Sequence, residues 1–218
     1  LIIGRQRRSK VKVRKMFLVL TLLVMAFLPL RVESETSIKG IYTQLPGQQF
    51  KFDGNTVEVI EFLSFYCDGC YAFEKSIPII KGNFPKKIKW KIVPIYWGKG
   101  SPKPAEAYFL AEDAGKGEQM KKDLFYAHFV ERKDIGDVKV LEEIGKGIGL
   151  GFDFSKKLRA GDKAKDVQKA LDMAGAYRVN ETPTLIIAGN IMTNLHPFQH
   201  NIDAFRENVI MILKSILK

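Results

Sequence analysis

The stretch VEVIEFLSFYCDGC at residues 57–70 decides the fold, because an apolar run leads directly into a pair of cysteines. The run from Thr56 to Phe65 is rich in β-branched and aromatic residues and predicts a buried central strand. Cys67 and Cys70 are the only cysteines of the 218-residue chain. A cysteine pair placed where a strand ends and a helix begins is typical of a reversible, reactive disulfide.

The segments that flank this pair predict a strand, a helix and a second strand. A helix should begin at Cys67 and run to about Ser76, with a kinked extension to Lys81. Pro78 limits its regular part, because proline removes a backbone donor and clashes with the preceding turn. Residues 88–96 alternate and then turn apolar, which predicts the second strand.

The rest of the chain changes to a helical period and then returns to strands. The candidate helices cover residues 104–114, 118–130, 138–148 and 163–177. The candidate strands are 184–188 and 191–193, which flank the hairpin signal Gly189-Asn190, together with an edge strand at 41–45. An amphipathic helix from Ile202 to Ile216 closes the chain.

This order predicts an α/β thioredoxin fold with an inserted helical domain. A strand-helix-strand half precedes the helical block, and a hairpin-helix half follows it. Residues 35–97 and 180–218 should form the thioredoxin-like domain, and residues 98–179 the helical insertion.

The N-terminal part has the pattern of a targeting segment. Residues 1–34 hold eight basic residues and one acidic residue, which leaves a net charge of only +4 for the remainder out of +11. The apolar run 17–30 has the length of a signal-peptide core, and cleavage after Ser34 is expected. An uncleaved membrane anchor is the alternative. In both cases we expect the domain to be exported to the periplasm. Nucleic-acid binding is not expected, because the charge of the remainder is ordinary.

Export favours a redox role for the cysteines, since disulfides persist outside the cytoplasm. The pair could close only a tiny ring, which restrains the unfolded chain little, so reactivity explains it better than stapling. Half of a zinc site is the alternative, but His128, His196 and His200 show no paired-ligand spacing with the cysteines. No metal or cofactor is therefore expected, and the histidines are taken as surface or loop residues.

The chemistry of the pair follows from its place at a helix start, where unpaired N–H groups stabilise a thiolate. Cys67 is the expected nucleophile, and Cys70, one turn further, resolves the mixed disulfide. Asp68 opposes thiolate formation by about 1 kcal/mol unless solvent screens its charge. The sequence leaves open whether Glu61 is a buried acid that exchanges protons with Cys70 or a carboxylate at the sheet rim.

Residues 61–74, EFLSFYCDGCYAFE, resemble the active-site segment of the DsbA family of periplasmic thiol:disulfide oxidoreductases. The likeness continues to Thr182-Pro183-Thr184 and the final helix. It implies that Cys67 attacks, Cys70 resolves and Glu61 is buried. It also implies that Pro183 is cis against the disulfide and that Thr182 offers backbone contacts to substrate, whereas general frequencies favour a trans proline.

One departure from the family concerns the two residues between the cysteines. The commonest insert there is Pro-His, and this chain has Asp68-Gly69. The favoured hypothesis is a monomeric dithiol oxidase that acts on folding exported proteins and is reoxidised by a membrane-embedded partner resembling DsbB. There are two alternatives. One is a disulfide reductase or isomerase, and the other is a redox-independent peptide-binding chaperone.

Overall fold

A five-stranded mixed sheet lies at the centre of the computed structural model, which describes residues 37–98 and 100–218. The strands are β1 (Thr43–Gln44), β2 (Val57–Leu63), β3 (Ile88–Pro94), β4 (Thr184–Ile187) and β5 (Ile191–Asn194). Their order in the sheet is β1-β5-β4-β2-β3, with β2 and β3 parallel and the other pairs antiparallel. The predicted signal peptide, residues 1–34, lies outside the described residues.

Strand β2 is central, as its apolar run predicts. Six of its seven residues are buried and only Glu58 is exposed, because helices cover both faces of this strand. Its neighbours are β3 on one side and β4 on the other. The end of β2 therefore carries the cysteine pair out of the middle of the sheet.

The helix after the cysteines is two helices, α1 (Asp68–Phe73) and α2 (Ser76–Asn83). The prediction of one helix to Ser76 with an extension was wrong in this detail. The break falls at Glu74 and Lys75, and Pro78 then occupies the third position of α2. A proline fits there because the first backbone N–H groups of a helix have no partner within the helix.

The helical block is built from elements between β3 and β4. They are α3 (Lys103–Asp113), α4 (Gly117–Phe125), a π-helical turn (Tyr126–Val130), α5 (Val138–Gly147), α6 (Phe152–Ala160) and α7 (Ala164–Ala176). Helix α6 is not among the helices predicted from the sequence. Gly161 is the left-handed cap that ends α6, with φ 74°.

Helix α8 (Ile202–Ile216) packs on the face of the sheet that carries Val57 and Val59, opposite α7. Its Phe205 ring lies 4.9 Å from the ring of Phe73 in α1. Buried Asn208 accepts a hydrogen bond from the Ile41 amide and donates one to the Ile41 carbonyl, at 2.6 and 2.9 Å. This side chain thus ties the leading segment of the domain to α8.

The observed order of strands and helices confirms the predicted fold class. Within residues 37–98 and 100–218, no helix has the length and apolar character needed to cross a membrane.

Candidate redox-active site

The two cysteines lie at the junction of β2 and α1. Cys67 is the N-cap of α1, with extended backbone angles, and its Sγ accepts a hydrogen bond from the Cys70 amide at 3.1 Å. The sequence folds this way because the apolar strand ends at Leu63 and Asp68 supplies an acidic first turn.

The two thiols differ in accessibility. Cys67 is half-buried, whereas Cys70 has no exposed surface and packs in the apolar cluster with Leu63 and Phe65. Both are free thiols in this structure. An incoming sulfur therefore reaches Cys67 first, and Cys70 is reachable only through Cys67.

The two thiols also differ in proton affinity. Hydrogen bonding from Cys70 lowers the pKa of Cys67 to about 7, against the opposing effect of burial, and the side chain of Thr182 lowers it further. Burial and the neighbouring Cys67 raise the pKa of Cys70 well above its usual range. Cys67 is thus the better leaving group and Cys70 the thiol that holds its proton.

The loop before β4 forms the opposite wall of the site. The Thr182–Pro183 peptide bond is cis, as the resemblance implies and contrary to the general expectation of a trans turn. The Cys67 thiol donates a hydrogen bond to the Thr182 carbonyl at 3.3 Å. The structure therefore brings Cys67 together with Thr182 and Pro183, two residues that are more than a hundred positions away in sequence.

Glu61 is completely buried, which excludes a carboxylate at the sheet rim. Its Oε2 accepts a hydrogen bond from Trp90 Nε1 at 2.8 Å, and its Oε1 has no hydrogen-bond partner. Burial raises the pKa of Glu61 to about 7, with Lys121 opposing the shift. Glu61 shares a face of the sheet with Leu63, which packs beside Cys70, but its hydrogen bond goes to Trp90 and not to Cys70.

Lys121 is a functional candidate that the sequence analysis missed. It comes from α4, its side chain is 2% exposed, and its Nζ lies 3.1 Å from Glu74 at the end of α1 and 3.3 Å from Glu118. Burial works against its charge, but Glu74 and Glu61 raise the pKa of Lys121 overall. Its only sequence signal was a basic residue beside the apolar face of an amphipathic helix.

Asp68 has a smaller effect than the sequence suggested. Its side chain is exposed, and its Oδ1 accepts a hydrogen bond from the Gly69 amide at 2.7 Å. Its charge raises the pKa of Cys67. This effect is smaller than the effects that Cys70, burial and Thr182 have on the same pKa. The solvated interpretation of this carboxylate therefore fits the structure better.

The histidines contribute nothing to the thiol pair. His196 and His200 are exposed, as expected. His128 is the exception to the expectation of surface or loop residues, since it is partly buried in the π-helical turn with its ring edge-on to Tyr66 at 5.2 Å. No group of three or more metal-ligating side chains is found in the part of the chain that the structure describes.

Comparison with known proteins agrees with this geometry. The sequence profile of the Thioredoxin family matches residues 55–204, and the chain therefore belongs to the thioredoxin family. Within it, the chain is similar to proteins named thiol:disulfide interchange protein DsbA. The relative from Haemophilus influenzae is 28% identical over 166 residues, 74% of this chain and 79% of the relative. The relative from Azotobacter vinelandii is 24% identical over 155 residues, 71% and 72% of the two chains.

Solved structures give the same result for the fold. A variant of Pseudomonas aeruginosa DsbA superposes with a TM-score of 0.67 at 20% identity, covering 80% of this chain and 95% of that one. DsbA from Xylella fastidiosa superposes with a TM-score of 0.65 at 22% identity, covering 81% and 97%. The comparisons confirm the predicted resemblance to DsbA and the predicted enzyme class, a thiol:disulfide oxidoreductase.

Proposed function

We propose that this chain is an exported dithiol oxidase that introduces disulfides into unfolded or folding proteins. Residues 1–34 serve as its signal peptide, the periplasm is its compartment and the monomer is its active form. Residues 35–97 with 180–218 act as the redox domain, and residues 98–179 as the helical insertion. The names of the relatives support the chemistry, and the apolar run 17–30 supports export.

The reaction begins from the oxidised Cys67–Cys70 disulfide. A substrate thiolate attacks Sγ of Cys67 and forms a mixed disulfide, while the Cys67–Cys70 bond breaks and Cys70 takes the electron pair and a proton. A second substrate thiolate attacks the substrate sulfur of the mixed disulfide and expels Cys67 as a thiolate. The substrate gains a disulfide and the protein is left as a dithiol.

Three further residues support these steps. Glu61 is the buried acid that supplies and accepts the proton of Cys70; because its own hydrogen bond is to Trp90, this transfer passes through a water molecule between the two groups. The Thr182 carbonyl, which accepts from the Cys67 thiol, becomes free for the backbone of a substrate once Cys67 is a thiolate or a disulfide. Pro183 keeps this loop against the sulfur, since its ring lies beside the active-site turn.

Turnover requires that the dithiol be oxidised again. We assign this step to a membrane-embedded partner, which accepts two electrons from Cys67 and Cys70 and restores their disulfide. The accessible sulfur of Cys67 is the point of attack for this partner as well, because Cys70 has no exposed surface.

The asymmetry of the two thiols is the observation that carries the exchange chemistry, and the redox potential tests its direction. The protein should be equilibrated with glutathione and its oxidised fraction measured. Thioredoxin and DsbA itself have known potentials of about −270 and about −120 mV, and the oxidase role requires a value on the DsbA side. A value at the thioredoxin end would overturn that role. Retention of activity in cells by Cys67→Ser would instead indicate a redox-independent chaperone.

A reductase or isomerase is the second candidate, and the pKa of Cys67 favours it. A value of about 7 matches the known reference value of about 7 for thioredoxin better than the known value of about 3.5 for DsbA itself. Refolding of scrambled ribonuclease separates the two roles. Reshuffling by the reduced protein would support the isomerase, and its absence would exclude it.

A further inference from the structure

A side chain at Gly69, the second residue between the cysteines, would make a tight contact with a neighbouring loop. A Cβ at Gly69 would be 3.1 Å from Cδ2 of Leu195, 3.4 Å from Cδ of Pro183 and 3.8 Å from Sγ of Cys67. The first distance is shorter than the 3.5 to 4.0 Å or so that is optimal between carbon atoms. Leu195 thus lies where a side chain at position 69 would begin.

Backbone conformation does not explain the glycine. Gly69 lies inside α1 and is absent from the glycines of positive φ. Alanine is the better helix former there by about 1 kcal/mol. The close approach of Leu195, and not a dihedral angle, is therefore what opposes a larger residue at position 69.

Leu195 is held firmly in this place. It follows β5 directly, is 4% exposed and packs in the apolar cluster that contains Phe73 and Phe205. Its carbonyl accepts a hydrogen bond from the Phe198 amide at 3.1 Å, which closes the turn that follows. The two distances from the Gly69 position also place its Cδ2 within about 7 Å of Sγ of Cys67.

We propose that Leu195 is a positioning residue of the exchange site, coupled to Gly69. Its side chain packs between the active-site turn and the Pro183 loop, and it covers one side of the Cys67 sulfur with an apolar surface. A residue of a loop distant in sequence thus packs against the two residues between the cysteines. The environment of Cys67 is therefore set by residue 195 as well as by residues 68 and 69. This inference deepens the proposed function and rests on the same site.

The test is a double-mutant cycle in stability, which does not depend on the direction of exchange. Gly69→Ala should be less favourable to folding in the wild type than in the Leu195→Ala background, by about tenfold in the unfolding equilibrium constant, because Leu195 must shift to admit the methyl group. In the Leu195→Ala background the same substitution should lower that constant, because alanine then only improves the helix. Gly82→Ala is the matched control, since Gly82 lies in α2 with nothing within 4 Å. Equal effects of Gly69→Ala in both backgrounds would overturn the coupling.

A second measurement separates positioning from plain packing. The rate of Cys67 alkylation against pH reports both the exposure and the thiolate fraction of the sulfur, whether the protein is an oxidase or a reductase. Leu195→Ala should raise this rate severalfold. Leu213→Ala, a fully buried leucine of the same apolar cluster on α8, should destabilise the fold without changing the rate. An alkylation profile of Leu195→Ala that matches that of Leu213→Ala would overturn the proposal.

Discussion

Replacing Glu61 by glutamine tests the electrostatic cost of the buried carboxyl. The folded protein raises the pKa of Glu61 from its ordinary value of 4.5 to about 7 because the group has no contact with water. Between these values the folded chain keeps the proton while the unfolded chain releases it. A group with a raised folded-state pKa supports stability fully below 4.5 and loses that support as the pH rises to 7.

The size of the effect follows from the shift. Each pKa unit corresponds to about 1.4 kcal/mol. The difference of about 2.5 between the two pKa values therefore lowers the free energy of unfolding of the wild type by about 3 kcal/mol between pH 4.5 and pH 7. Glutamine cannot lose a proton, and its side-chain oxygen can still accept from Trp90. The free energy of unfolding of the variant, relative to that of the wild type, should therefore rise by about 3 kcal/mol as the pH increases from 4.5 to 7.

The assay is urea unfolding of the reduced proteins at half-unit steps from pH 4 to pH 8, with the free energy of unfolding extrapolated to water. Glu58→Gln is the matched control, because Glu58 is exposed on the same strand and its replacement should leave the slope unchanged. Parallel curves for the wild type and Glu61→Gln would refute the assignment of a perturbed buried carboxyl.

Three further perturbations probe the surroundings of the site. Lys121→Met should reduce the free energy of unfolding by about 3 kcal/mol at pH 7 because it leaves Glu74 without its cation, and the loss should shrink as the pH falls because burial raises the pKa of Glu74. Asp68→Asn should lower the pKa of Cys67 by less than about one unit, measured by thiolate absorbance. Asn208→Leu should cost about 2 kcal/mol in urea unfolding and speed hydrogen exchange in the leading segment.

Each of these has a result that would contradict it. A loss in Lys121→Met that is the same at pH 5 and pH 7 would mean that packing, and not an uncompensated charge, holds Lys121 in place. A higher pKa of Cys67 in Asp68→Asn would show that the carboxylate helps the thiolate. Unchanged exchange protection in Asn208→Leu would show that the hydrogen bonds to Ile41 do not anchor the leading segment.

The sequence predicted those parts of the molecule whose signals are local. The apolar run into Cys67 predicted β2, the hairpin signal at Gly189 predicted β4 and β5, and the amphipathic stripe predicted α8. These signals work because strand and helix periodicities are read within a few neighbouring residues. The position of Cys67 at a helix start was likewise readable from the sequence, and the structure places it at the N-cap of α1.

The sequence failed where long-range packing decides the outcome. Nothing local showed that Leu195 fills the space over Gly69, or that Lys121 enters the core to meet Glu74. The burial of Glu61 also depends on the helices that cover β2, so the sequence could only leave it open. The weight given to Asp68 was too large because solvent exposure and the competing hydrogen bonds of Cys67 are properties of the fold.

The unequal burial of the two cysteines also bears on damage by peroxides. A peroxide that reaches the site meets only Cys67 and converts its thiolate to a sulfenic acid. The Cys70 thiol lies one helical turn away, and its condensation with the sulfenic acid expels water and yields the Cys67–Cys70 disulfide. Oxidation of Cys67 in this way therefore yields the same disulfide from which the proposed reaction begins, which is a reversible product.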